Sequence, residues 1–354
     1  MGTSDVEVLV IGAGAMGSAT AWWLARRGVE VALVEQFEPG HARGSSHGGS
    51  RIFRLAYAEP HYVELALEAF DLWREVESDT GEVLLELTGG VDHGRPVDVA
   101  PVADALERAG RVVERLSATV AGERWPGLRF DELVVHSPDT GRLPADRCVA
   151  ALQRRAAELG AYVRFGCPVV RLDVARRIAL TAGGEELRAS RAVVVTAGAW
   201  VTKLVGDSGS VDVAGALPPI TVTKEQTFHF APAIDDMWPA FIHYRSPVAI
   251  YGLETPGEGV KVAEHGSGVA VDPDTRSFDV DAAGRARVMS YVAEWLPGLR
   301  PSPLSEATCL YTNTPDSSFV LDRRGDVVIG SACSGHGFKF APAIGKRLAD
   351  LALS

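Results

Sequence analysis

Val6-Glu7-Val8-Leu9-Val10-Ile11-Gly12-Ala13-Gly14-Ala15-Met16-Gly17 is the stretch whose reading decides the fold. A mostly apolar strand runs into a glycine turn, a helix over 18–27 follows, and Gly28 closes it. A second strand, Val29-Glu30-Val31-Ala32-Leu33-Val34, places Glu35 at its end. Each part has a job in holding a dinucleotide. Gly12 makes the tight turn, Gly14 lets the backbone approach a pyrophosphate, and Gly17 lets the helix pack on the strand. Ala15 and Met16 lie in the turn before the helix, whose N-terminus offers N–H groups and the positive end of a dipole. Glu35, with Gln36 beside it, stands where a carboxylate accepts from both hydroxyls of an adenosine ribose.

The 354 residues suffice for two domains, and 46% hydrophobic content with mean hydropathy near zero is that of a globular protein. No apolar run reaches the ~18 residues that cross a bilayer. No basic segment leads into an apolar core with a cleavage site, so no leader and a cytoplasmic location are expected, as a monomer or small homo-oligomer. A formal charge of −11 argues against a nucleic-acid surface. The four cysteines (Cys148, Cys167, Cys309 and Cys333) show no CxxC and no metal spacing with histidine, so no metal is expected.

Downstream of Glu35, residues 38–54 are rich in Gly, Ser and basic side chains, too irregular for a regular element. They follow the second strand, where loops face the ligand crevice, and Ser45, Ser46, Ser50 and Arg51 are closely spaced donors for a phosphate or a ring edge. Helical spacing predicts a packed helix over 62–77. Residues 85–140 read as an insertion holding short strands (Val83-Leu84-Leu85 and Leu133-Val134-Val135) and a helix over 101–110. A helix over 144–159 precedes the strands Tyr162-Val163-Arg164-Phe165 and Pro168-Val169-Val170-Arg171-Leu172. The strand Ala192-Val193-Val194-Val195-Thr196 runs into Ala197-Gly198-Ala199-Trp200, small residues that allow close backbone approach to a ligand. Alternating patterns over 215–300 predict a mostly antiparallel sheet, followed by a helix over 284–295. The strand Val327-Val328-Ile329-Gly330, a glycine loop and a helix over about 341–352 complete the chain.

Candidate chemistry lies in three places. In Cys333-Ser334-Gly335-His336-Gly337-Phe338-Lys339-Phe340, a lysine stands at a helix N-terminus, a position that is unfavourable unless it meets an anion. Cys309 lies in Thr308-Cys309-Leu310-Tyr311-Thr312-Asn313-Thr314-Pro315-Asp316, where it is most simply a buried apolar thiol. Tyr251, Lys261 and His265 fall within fifteen residues, on neighbouring strands, as either core or functional groups.

With these motifs in view, the chain resembles the amine-oxidising flavoproteins typified by monomeric sarcosine oxidase and N-methyltryptophan oxidase, within the larger D-amino-acid-oxidase-like group. The resemblance spans nearly the whole chain and is carried most specifically by residues 47–54, 309–316 and 334–340. It implies FAD joined through Cys309 to the flavin 8α-methyl, and Arg54 with Lys339 holding a substrate carboxylate. Lys261 would lie where oxygen is reduced, Arg51 beside the flavin ring, and Tyr251 and His265 at the amine. Tyr62, Tyr311, Gly335 and His336 would line the substrate pocket, as would Ile242, where sarcosine oxidases carry a methionine. Ser45, Ser46, His47, Ser50, Val169, Ala197, Gly198, Trp200, Gly337 and Phe338 complete the expected FAD contacts.

The expected fold is α/β: a discontinuous Rossmann-like FAD domain (1–85, 140–215 and 305–354) and a substrate domain on a mostly antiparallel sheet (86–139 and 216–304). The expected reaction oxidises a secondary α-amino acid with dioxygen as acceptor, giving an imine and hydrogen peroxide. A glycine-oxidase-like, cyclic imino acid or N-carboxymethyl amine oxidase is the alternative. A NAD-dependent dehydrogenase explains neither the Cys309 segment nor the Lys339 loop, and a non-catalytic flavoprotein leaves the clamp unused.

Overall fold

A computed structural model describes residues 5–206, 210–234 and 237–354; positions 1–4, 207–209 and 235–236 of the expected division lie outside the described residues. The opening stretch forms the strand Asp5–Ile11 and the helix Ala15–Arg26. The helix begins three residues earlier than its apolar spacing suggests, because Gly14 is extended (φ −69°, ψ −171°) and Ala15 is already helical. The first strand runs parallel to Val31–Val34 on one side and Glu186–Val195 on the other. Its residues Val8 to Ile11 are all buried, as in a parallel sheet covered on both faces. Helices Ala15–Arg26, Ala145–Glu158 and Ala341–Leu353 bury one face, while Val201, Leu204 and Val205 pack on the other.

The eight-stranded sheet reads Val169–Asp173, Ile178–Thr181, Glu186–Val195, Asp5–Ile11, Val31–Val34 and Tyr162–Arg164. Val327–Ser331 adds in parallel beside Val193 to Val195, and Val320–Arg324 pairs antiparallel with it. A nine-stranded sheet, antiparallel except where Gly90–Gly94 lies along Ala240–Tyr244, forms the second layer. Its longest pairing joins Thr221–Pro232 to Leu299–Asn313, a strand that runs through position 305, where the sequence division sets a boundary.

Three local expectations are corrected. Val83-Leu84-Leu85 is not a strand; the amides of Leu84 and Leu85 donate instead to Glu77 Oε1 (2.6 and 2.8 Å) while both side chains enter the core. The strand there is Glu86–Leu87, in a small sheet with Gly141–Leu143 and Arg51–Phe53, so part of the loop over 38–54 is regular after all. Thr221-Val222-Thr223 and Phe228-His229-Phe230 belong to one strand, since the intervening residues keep pairing with Leu299–Asn313. Among the described residues no helix is long and apolar enough to cross a membrane.

The pleat of Gly90–Gly94 and Ala240–Tyr244 sorts side chains by function. Asp92, Ile242 and Tyr244 take one face, His93 and His243 the other. The two imidazoles stack at 4.0 Å, and His243 Nδ1 lies 3.1 Å from the Tyr291 hydroxyl of helix Ala282–Trp295. Burial, reinforced by the positive charge of Arg245, holds His243 down to about 4 although Asp131 opposes it; burial lowers His93 likewise. As pH falls the unfolded chain therefore protonates first. The stabilisation is complete above about pH 6.5 and is lost as pH falls toward 4. Chemical unfolding followed by tryptophan fluorescence will show stability declining across that window. His243→Phe will make the decline shallower by about one proton's worth of slope.

Candidate active site

One continuous cavity of about 1040 Å³ runs between the two sheets. At one end the turn Gly12-Ala13-Gly14 forms its wall with Ala15, Met16, Glu35, Gln36, Val169, Ala197, Gly198 and Trp200. Gly12 has φ +99°, and a Cβ there would meet the Thr196 carbonyl oxygen at 2.5 Å. Gly17 is not on the wall; a Cβ there would meet the Gly12 oxygen at 1.9 Å, which makes it a packing residue. Gly14 differs, since a Cβ would meet only the Ser46 side chain within 4 Å. Its missing side chain therefore keeps the cavity floor open. Glu35 Oε2 accepts from the Ala13 amide (2.8 Å) and Oε1 from the Phe37 amide (3.1 Å). Burial raises its carboxyl, but His41 and these two amides outweigh burial and hold the value below the ordinary one. The glutamate is ionised at the end of the second strand, and the first turn of the adjoining helix holds no acid to repel an anion.

The middle of the cavity holds Ser45, Ser46, His47, Ser50, Arg51, Lys261 and Cys309. Here the structure departs from the expectation of free donors. Arg51 donates to the carbonyls of Ser45, His47 and Ser50, Ser45 Oγ to the Leu310 carbonyl, and Ser50 Oγ pairs with Thr255 Oγ1. An irregular loop has no strand to satisfy its carbonyls, and Arg51 does so instead. Ser46 Oγ accepts from the Ala15 amide (3.0 Å), tying the loop to the helix start. His47 Nε2 is buried without a hydrogen-bond partner among the described residues, and burial with the charges of Arg51 and Lys261 lowers its pKa to about 4. Lys261 Nζ donates to the Ser50 carbonyl (2.6 Å); burial and then Arg51 lower its pKa to about 7. Burial raises the Cys309 thiol, against the pull of Arg51 and Lys261.

The far end gathers Arg54, Tyr62, Ile242, Tyr251, His265, Tyr311, Gly335, His336, Gly337, Phe338 and Lys339. Arg54 and Lys339 both lie over the Tyr57 ring, at 4.8 and 5.4 Å from its centroid. Lys339 Nζ donates to the Tyr57 hydroxyl (2.8 Å) and the His336 carbonyl (2.6 Å), so among the described residues the lysine at this helix start meets oxygen atoms but no protein carboxylate. Burial, then the charge of Arg54, lowers it well below the ordinary lysine value. Arg54 NH1 donates to Asp92 Oδ1 and to the Tyr244 hydroxyl, at 2.9 and 3.0 Å. His265 is lowered to about 4 by burial and then by Arg54 and Lys339, and its Nδ1 faces the Tyr311 hydroxyl at 3.4 Å. Burial raises the hydroxyls of both Tyr251 and Tyr311 above the ordinary tyrosine value. Gly335 has φ +75°, and a Cβ there would lie 2.3 Å from the Tyr311 ring and 2.8 Å from His265.

Three residues that sequence reasoning did not single out belong here: Tyr57, Asp92 and Tyr244. Asp92 lies inside the strand Gly90–Gly94, a position aspartate seldom takes unless it is paired, but the sequence pattern did not mark that segment as a strand. Tyr57 and Tyr244 look like core tyrosines in sequence, and only the fold brings them to Arg54.

The chain matches the FAD dependent oxidoreductase family (DAO) over residues 7–351. It belongs to that family. A monomeric sarcosine oxidase of Streptomyces avermitilis is 35% identical, covering 98% of this chain and 94% of the relative. An N-methyl-L-tryptophan oxidase of Yersinia pestis is 30% identical over 97% of this chain and 93% of its own. The solved open form of NikD, described as an unusual amino acid oxidase essential for nikkomycin biosynthesis, superposes with a TM-score of 0.87 at 26% identity, over 99% and 95% of the two chains.

The residues fit FAD. The open floor at Gly14, the ionised Glu35 and the partnerless His47 Nε2 lie along a single cavity, at the upper end of the roughly 300–1,000 Å³ usual for ligand pockets. The two motif glycines will separate on substitution. Gly14→Ala will keep a near-native melting temperature in the apoprotein yet lose FAD, by an affinity drop of about tenfold or more. Gly17→Ala will fail in folding itself, shown by low soluble yield and a lost melting transition.

Proposed function

We propose that the protein oxidises a secondary α-amino acid, sarcosine or another N-methyl amino acid, at the Arg54–Lys339 end of this cavity. Residues 1–85, 140–215 and 305–354 would hold FAD, and 86–139 with 216–304 the substrate. The observation that carries the reading is the convergence of two basic side chains, Arg54 and Lys339, on one tyrosine ring, next to a neutral imidazole. A guanidinium and an ammonium hold a carboxylate in one orientation, and orientation alone supplies much of a rate enhancement. FAD, once bound, supplies the two-electron acceptor for the amine's C–H bond.

The residues of the chain do the rest. His265, neutral at working pH, accepts from the substrate nitrogen without competing for the carboxylate. Tyr251 and Tyr311, whose hydroxyls burial keeps protonated, wall the amine side and exclude water. Cys309 is the residue we assign to the flavin 8α position; Arg51 and Lys261 favour its thiolate against burial. Lys261 puts a cation where dioxygen gathers negative charge on its way to hydrogen peroxide. The imine product hydrolyses in water. The likeness to the sarcosine and N-methyltryptophan oxidases supports an N-methyl substrate, whereas the likeness to NikD supports the wider class of amino acid oxidases.

Anaerobic addition of sarcosine to the yellow protein will bleach it; if no N-methyl or cyclic amino acid does so, this reading fails. Cys309→Ser protein will release its FAD on acid precipitation, while the unsubstituted protein keeps it in the pellet. Lys261 carries its proton below about pH 7 and loses it above, so reoxidation by oxygen, followed by stopped flow, will slow as pH rises through that value. Lys261→Met will reoxidise roughly 10²-fold more slowly, without that pH dependence.

A further inference from the structure

The charges at the carboxylate end do not add up to two free cations. Asp92 is 3% exposed and off the cavity wall, and its carboxylate takes one arm of Arg54 at 2.9 Å while the Tyr244 hydroxyl takes the same nitrogen at 3.0 Å. Arginine does not shed its proton in a protein, so the interior must supply an anion or leave the charge alone. Burial pushes the Asp92 carboxyl up by more than Arg54 pulls it down, so it stands above the ordinary carboxylate value; with the guanidinium at 2.9 Å the ion-paired form is still the one that leaves neither charge uncompensated. Together Arg54 and Asp92 are electrically neutral.

Among the described residues Lys339 has no such partner. The groups that face it are the Tyr57 hydroxyl and the His336 carbonyl, with the Arg54, His265 and His336 side chains nearby and the Tyr57 and Phe340 rings beneath. Each of these is neutral or positive: burial and neighbouring cations keep His265 and His336 unprotonated, and burial keeps Tyr57 un-ionised. The two bonded oxygens suit either form of the lysine. As an amine it donates to the carbonyl and accepts from the Tyr57 O–H; as an ammonium it donates to both and has a third N–H for a ligand.

We propose that Asp92 is the positioning residue of the carboxylate clamp: by cancelling the charge of Arg54 it leaves a bound carboxylate to be neutralised at Lys339, so that each carboxylate bound brings one proton onto that lysine. The inference rests on the proposed carboxylate site and adds its charge accounting. A pocket whose resident charges already cancel cannot take an anion into a low-dielectric interior alone, but an anion and a proton enter together as a neutral pair. Arg54 then serves as a fixed directional donor and Lys339 as the titrating partner, and the affinity for carboxylates falls as pH rises.

The test uses the FAD-loaded enzyme and acetate as probe, by calorimetry in two buffers of different ionisation enthalpy, from about pH 6.5 to 9. The expected result is an uptake approaching one proton per acetate at the upper end, with affinity falling about tenfold per pH unit there. Lys339→Met will bind acetate more weakly and without uptake, which separates this lysine from Lys261 and the histidines. Asp92→Asn will lose the uptake, because Arg54, freed of its partner, neutralises acetate unaided; Asp92→Glu will regain it. Binding by the unsubstituted enzyme without proton uptake overturns the inference and leaves the carboxylate site standing, and so does uptake that persists in Lys339→Met. No acetate binding at any pH removes the site, and the inference with it. Should Asp92→Asn not fold, the unsubstituted enzyme and Lys339→Met decide the matter between them.

Discussion

An arginine kept out of water is the constraint around which this cavity is built. Arg54 lies on the segment that follows the short strand Arg51–Phe53, and the fold must meet its charge from elsewhere. It does so with Asp92 on Gly90–Gly94 and Tyr244 on Ala240–Tyr244, two strands that lie side by side in parallel. Breaking such a buried pair costs about 3–5 kcal/mol, because the surviving charge is left alone. The ion pair therefore does two jobs. It aims the guanidinium into the cavity and it fastens the segment after the first layer to the second sheet, so recognition and architecture depend on the same contact.

The first layer imposes its own constraint by close approach. Gly12, Gly17 and Thr196 meet where two parallel strands and a helix start converge, and the Thr196 hydroxyl donates to the carbonyls of both Ile11 and Gly12. No side chain larger than hydrogen fits at Gly17. This tight corner sets the depth of the cavity floor, whereas Gly14 opens that floor to a ligand. One motif thus contains glycines of two kinds, one required by the protein and one by what the protein holds.

Much of this was legible in the sequence because the physics is local. Alternation and continuous apolar runs give the strands, and a glycine between a buried strand and a helix gives the turn, without reference to anything distant. Lys339 could be singled out from its place at a helix N-terminus, whereas Cys309 and Lys261 read as core or function alike until the family resemblance gave them roles. Asp92, Tyr57 and Tyr244 could not, since their role exists only through Arg54 and the register of Ile242 against Asp92. Val83-Leu84-Leu85 misled for a related reason. Its amides are satisfied by a glutamate side chain from the helix Pro60–Thr80, and no periodicity records that.

The two lysines of the cavity show how burial divides labour between like groups. Each has one bond to a backbone carbonyl, from Ser50 for Lys261 and from His336 for Lys339, and each is lowered first by burial and next by an arginine. They differ in what can compensate them. The carboxylates of Glu258 and Asp146 act on Lys261 from a distance against burial, and it stays near 7, so its charge is present over part of the physiological range before any ligand arrives. Lys339 has only neutral oxygens and rings around it and a guanidinium nearby. A cation that waits in place suits a small neutral molecule that acquires charge during reaction, whereas one that forms with its anion suits a substrate that arrives charged. The same side chain serves both ends of the cavity because its surroundings, and not its own chemistry, decide when the proton is there.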